Sequence, residues 1–139
     1  MGHPIHVIGD RPRGGYFYLC NDLIRVGAHK SRLDSDGFVV MAYLLSHAGG
    51  GGRPFETSPA LMAKEFGWSL NRDRVKRALA NAEKDGRLVI RRYMRDGREV
   101  QKRRAYVVAA GGRRFTDWER AEQSRPIELP SKVHGKSAS

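Results

Sequence analysis

One cysteine, Cys20, is all that 139 residues contain, so no disulfide within the chain can staple it. That suits a reducing cytosol, and the thiol reads as a small buried hydrophobe in a strand rather than a reactive group. Long apolar runs are missing too. No stretch approaches the length that crosses a bilayer, and no hydrophobic signal segment opens the chain. The expectation is a soluble, cytoplasmic protein without a membrane partner. Acidic residues are scarce: 15 stand against 26 Lys+Arg, leaving a formal charge of +11 and a pI near 10.4. Nineteen of the cations are arginine, whose planar fork pairs bidentately with phosphate and with guanine. Such an excess points to a polyanionic partner.

Signatures of catalysis are also lacking. The glycine run Gly49 to Gly52 has no Lys-Ser/Thr to complete a phosphate-cradling loop, so it reads as a connector. No nucleophile elbow, dinucleotide fingerprint or pair of carboxylates is present. The histidines His3, His6, His29, His47 and His134 are scattered. His3 and His6 have the right spacing for metal, but zinc takes four ligands in structural sites and three plus water in catalytic ones. Neither an enzyme, nor a cofactor, nor a metal site is expected.

What is there has a clear order. Met1 to Gly15 carries prolines and glycines without helical period and reads as a flexible arm (1–15). Its Arg11 and Arg13 either enter a minor groove, as homeodomain arms do, or belong to a disordered leader. Tyr16 to Cys20 is a short aromatic strand, and Asn21-Asp22 caps a brief helix ending at Gly27. Apolar residues from Asp34 to Ala48 recur at three and four residues, giving a central core helix capped by Asp34 or Ser35. Arg53 to Glu56 is extended and suits an edge strand.

Thr57 or Ser58 followed by Pro59 starts the next helix, with Leu61, Met62, Ala63 and Phe66 inward and Gly67 at its end. Trp68 to Leu70 is a turn with Leu70 as its apolar plug. Asn71 then caps a helix over 71–85, buried along Val75, Ala78, Leu79 and Ala82 and closed by Gly86. Leu88 to Arg95 is a strand, Asp96-Gly97 a two-residue hairpin turn, and Glu99 to Ala110 the return strand. Phe115 and Trp118 lie one turn apart in a short helix that packs back on the body. One domain thus spans 16–122, and a basic tail, 123–139, is expected to be disordered.

Charge is concentrated. Asn71 to Arg104 holds thirteen cations against five anions, a net +8 of the chain's +11. A cationic helix beside a basic hairpin suits a double helix: the helix reaches base edges and the hairpin lies over the backbone or minor groove. Arg72, Arg74 and Arg77 are the expected base readers, because a fork donor matches guanine O6 and N7. Asp73 either accepts from cytosine N4 or orients Arg77 one turn on. Ser69, Asn71 and Lys76 complete the helix side. Arg91, Arg92, Arg95, Arg98, Lys102 and Arg103 form the backbone-gripping set.

This order resembles the winged-helix superfamily. More narrowly, it resembles helix-turn-helix proteins encoded by actinobacterial chromosomes, phages and plasmids. The resemblance rests on Gly15-Tyr16-Phe17, Asn21-Asp22-Leu23, Leu45-Ser46-His47-Ala48, Thr57-Ser58, Arg74-Val75-Lys76-Arg77-Ala78-Leu79 and Glu83-Lys84-Asp85-Gly86. It covers Gly15 to Ala110. The turn Gly67 to Asn71 is longer than the usual Gly-Val-Ser of that family. The resemblance implies an α+β fold, a winged helix-turn-helix with an N-terminal strand, a helical core and a C-terminal two-stranded wing. It implies double-stranded DNA as partner and leaves a homodimer open. A transcriptional regulator is the leading expectation. A replication-initiation or partition accessory factor is the alternative, and an RNA- or protein-binding winged helix the second.

Overall fold

The computed structural model describes residues 3–10, 17–21, 23, 33–48 and 56–131. Arg11 and Arg13, the helix end at Gly27, the glycine run, Arg53 to Phe55 and the tail beyond 131 lie outside them. Among the described residues the architecture is α+β, with four α-helices and a three-stranded mixed sheet.

Local chemistry sets each helix boundary. Helix α1 spans Ser35–Ala48, and the Asp34 carboxylate accepts the Gly37 amide at 2.7 Å, satisfying a donor with no helical partner. Its inner face, Val40, Met41, Leu44 and Leu45, is the centre of the core. Helix α2, Pro59–Phe66, starts with the Ser58 hydroxyl accepting from the Leu61 amide at 3.2 Å. It ends at Gly67, whose φ of 72° suits a residue without a Cβ. Helix α3, Arg72–Lys84, is capped by Asn71, and its stripe Val75, Ala78, Leu79 and Ala82 is buried against α1 and α2.

Two apolar assignments need correction. Leu61 is about half exposed and Leu70 is 68% exposed. Helix α2 has barely two turns and buries only Met62 and Ala63. In the turn, Ser69 and Leu70 take φ values of 50° and 60°. That left-handed backbone throws Leu70 outward. Trp68 plugs the turn instead, half-buried and edge-on to Phe66 at 4.9 Å.

Strands β1, Leu88–Arg95, and β2, Arg98–Val108, form the hairpin. Asp96 and Gly97 both have positive φ, 52° and 75°, the geometry whose twist matches paired strands. At its base Leu88, Ile90, Tyr106 and Val108 pack on the helices, while Val89 and Val107 pack with Ala109 and Phe115. This is the period-two alternation of a sheet covered on both faces.

Four further expectations are overturned. Phe17 to Cys20 is not a strand; the Cys20 amide donates to the Gly111 carbonyl at 2.7 Å, in the turn after β2. Cys20 is accordingly half-buried, not fully buried. Trp118, in helix α4 over Asp117–Gln123, is 74% exposed, and Phe115 before that helix is the residue that packs inward. Most consequentially, the segment read as a disordered tail contributes a strand to the sheet. Ile127–Glu128 forms strand β3, parallel to Tyr93 and Met94, and the Leu129 amide donates to the Met94 carbonyl at 2.7 Å. The hairpin is therefore part of a sheet in the order β2-β1-β3.

Candidate nucleic-acid interface

Helix α3 is held by one apolar stripe, so its remaining residues divide by position around the axis. Asp73, Arg77, Ala80 and Lys84 lie opposite the stripe. Arg72, Lys76 and Glu83 form one flank, Arg74 and Asn81 the other. Arg72, Lys76, Arg77 and Lys84 are exposed and make no hydrogen bond or ion pair among the described residues. Asp73 is exposed and bonds to neither Arg77 nor a backbone amide, so it does not orient Arg77. Asn71 is committed to capping, and Ser69 stands exposed on the left-handed turn.

The second flank faces α1. Arg74 donates through Nε to Asp36 Oδ2 at 2.8 Å and through Nη2 to Oδ1 at 2.9 Å. Its guanidinium also lies 3.9 Å from the centre of the Trp68 ring. Hydrogen bonding to Arg74 holds the Asp36 carboxyl below its ordinary pKa, with the charges of Arg74 and Arg77 adding to it against a desolvation cost. The same pairing raises the Arg74 pKa. Asn81 donates to Asp34 on the same side at 3.3 Å. Arg74 is thus a strut between α3 and α1 rather than a free base reader. Asp36 gave no local signal of this, because an acid in a first helical turn reads as favouring the helix dipole.

The hairpin treats its arginines differently. Arg91 donates to the Arg125 carbonyl and Arg95 to the Pro130 carbonyl, both at 2.9 Å, fastening the C-terminal segment to β1. Arg103 pairs with Glu56 at 2.8 Å and lies 4.8 Å from the Tyr93 ring centre. Arg92 is exposed, 3.8 Å from Glu99. Arg98 and Lys102 are exposed and unpaired among the described residues. Of the expected phosphate clamps, Arg91, Arg95 and Arg103 already have internal work.

The ladder is irregular where the charge is densest. Arg92 pairs with Arg104 and Met94 with Glu99, so Tyr93 alone faces Val100 to Arg103. This excursion brings Gln101 and Lys102 beside the start of α2 and the flank of α3. Ser58, Lys76, Gln101, Lys102, Arg104 and Tyr106 are among the residues lining one cleft there. Burial pushes the Tyr106 phenol above its ordinary pKa, the Arg104 charge opposing it.

One cation of the cluster is wholly internal. Arg87 is fully buried, with Nε on Asp85 Oδ2 at 2.7 Å and Nη1 on the Gly112 carbonyl at 2.9 Å. Arg114 holds the other Asp85 oxygen at 3.0 Å. Burying an ion pair is tolerable only with such complete bonding. The network locks the end of α3 to the root of the sheet.

Among the described residues, no helix is long and apolar enough to cross a membrane, and no cluster of three or more His, Cys, Asp or Glu would hold a metal ion. Compared with protein-family models, curated proteins and solved structures, the chain matches none. The site geometry carries the functional reading.

Proposed function

We propose that the chain is a sequence-specific double-stranded DNA-binding protein of winged helix-turn-helix type, acting as a transcriptional regulator. In this reading α2, the Gly67 to Asn71 turn and α3 are the helix-turn-helix, and the β1–β2 hairpin is the wing. Helix α3 enters the major groove. Arg77 and Arg72 reach base edges, where a bidentate guanidinium–guanine pair discriminates by about 1–3 kcal/mol. Arg74 keeps the helix at a fixed angle to the body through Asp36. Lys76, Lys84, Lys102, Arg98 and Arg92 neutralise phosphates.

The observation that carries this reading is the shared cleft: Lys76 of α3 and Lys102 of β2 line the same depression. Helix and hairpin therefore offer unpaired cations on one side of the molecule, as a duplex spanning both requires. Five or six phosphate contacts predict a log–log salt slope of about −5, at roughly −0.9 per contact. Equilibrium binding to duplex DNA, single-stranded DNA and RNA at two salt concentrations tests the proposal. Tighter, salt-sensitive duplex binding is expected. A preference for RNA or single strands, or affinity indifferent to salt, refutes it. Selection from random duplexes then reports the recognised sequence.

A further inference from the structure

We infer that the looped-out segment of β2 and Lys76 together form a seat for one backbone phosphate of duplex DNA, making this segment, not the hairpin tip, the principal grip of the sheet. The inference rests on the DNA-binding reading above and names a site within it.

A strand that sets four residues against one forfeits ladder hydrogen bonds, and their loss must be offset. Arg104 offsets it. Its Nη1 donates to the carbonyls of Val100, Gln101 and Arg103 at 2.9, 3.3 and 2.8 Å, and its Nη2 lies 3.4 Å from the Glu99 carboxylate. The excursion is stitched shut from within, so it is a defined shape rather than a slack loop. With Arg104 turned inward and Arg103 engaged by Glu56 and Tyr93, Lys102 is the cation the segment leaves for an external partner.

The surroundings match an anion. Lys76, Lys102, Gln101, Ser58 and Thr57 are among the residues lining the cleft, and no acidic residue is. Two lysines lining one cleft that has no acidic residue in its lining repel each other, and a phosphate bound between them would turn that repulsion into attraction. The hairpin tip is a poorer candidate, because Asp96 stands among Arg95 and Arg98 and Arg95 is already bonded. The adjoining depression shares Thr57, Lys102, Arg104 and Tyr106 with this cleft and includes Glu56, whose carboxylate is paired with Arg103.

The test is the salt dependence of duplex binding by the full chain, followed by fluorescence anisotropy. Lys76→Gln and Lys102→Gln alter exposed side chains, and a thermal melt verifies that each variant folds. Each should reduce the magnitude of the log–log slope, and the two together by about 0.9, the share of one phosphate. The double variant should also bind about eightfold more weakly at 0.1 M salt, equally for all duplex sequences, counting that slope from a 1 M reference. Arg98→Gln at the tip should change the slope less. If both lysine variants keep the wild-type slope while Arg77→Ala still weakens binding, the seat is refuted and the DNA-binding reading survives. A larger slope change for Arg98→Gln also refutes the seat. Failure of the unaltered chain to bind duplex at low salt overturns both.

Discussion

Residues 72–84 hold five arginines and lysines and residues 91–104 hold seven, yet the fold uses the two sets in opposite ways. Helix α3 leaves Arg72, Lys76, Arg77 and Lys84 without partners among the described residues, whereas Arg91, Arg95, Arg103 and Arg104 are all bonded within the molecule. The reason is structural. A helix secured by a buried stripe makes no demand on its outer face. A two-stranded hairpin is marginal alone, so here guanidinium groups are recruited to hold a third strand and to stitch a loop-out. Charge density along a chain therefore overstates the charge available to a partner.

The largest effect expected lies where the two regions join. Asp85→Ala leaves Arg87 buried and uncompensated and should cost about 3–5 kcal/mol of stability, read by chemical denaturation. A loss under about 1 kcal/mol would mean the pair behaves as a surface contact.

Next comes the contrast itself. Arg77→Ala should erase about 1–3 kcal/mol of discrimination between duplex sequences. Arg91→Ala should leave discrimination unchanged and instead speed hydrogen exchange at the Leu129 amide by loosening β3. Equal losses of discrimination from the two variants would break the comparison.

Arg74 sharpens it. If Asp36 keeps that guanidinium from the phosphates, Asp36→Asn should steepen the salt slope by up to about 0.9. An unchanged slope would assign Arg74 to Trp68 regardless of its ion pair.

The smallest effect concerns pH. Arg113, first, and the Thr116 backbone hold the Glu119 carboxyl at about 2, down from 4.5. A lowered carboxyl pKa stabilises the folded state above the unfolded value. That contribution should fade as pH falls from 4.5 through about 2. Glu119→Gln should remove this portion of the acid dependence of melting, and an identical acid profile would refute the assignment. Both partners are partly exposed, so solvent screening keeps the effect small.

Much of the fold is legible one segment at a time. Ser58-Pro59 and Asn71 mark helix starts, Gly67 and Gly86 mark ends, and Asp96-Gly97 marks a turn, because each acts on backbone groups within a few residues. The stripe of α3 is equally plain from its period. The candidate site is legible only in part: Arg72, Lys76, Arg77 and Lys102 stand exposed as expected, while Arg74, Arg91, Arg95 and Arg103 do not stand free. Their partners Asp36, Arg125, Pro130 and Glu56 lie 38, 34, 35 and 47 residues away. No local pattern encodes such pairings. Leu70 differs for a similar reason: its apolar side chain suits a plug, but the left-handed turn directs it outward and leaves Trp68 to pack on Phe66.

Composition and periodicity by themselves determined the charge, its crowding into one quarter of the chain, and the helices and hairpin that carry it. Those features arise from side-chain chemistry and backbone bonding at short range. Only the tertiary structure decided which cations remain available, that Ile127–Glu128 joins the sheet, and that Arg87 is buried. Each of those outcomes depends on groups distant in sequence meeting in space, where desolvation and hydrogen bonding are settled together.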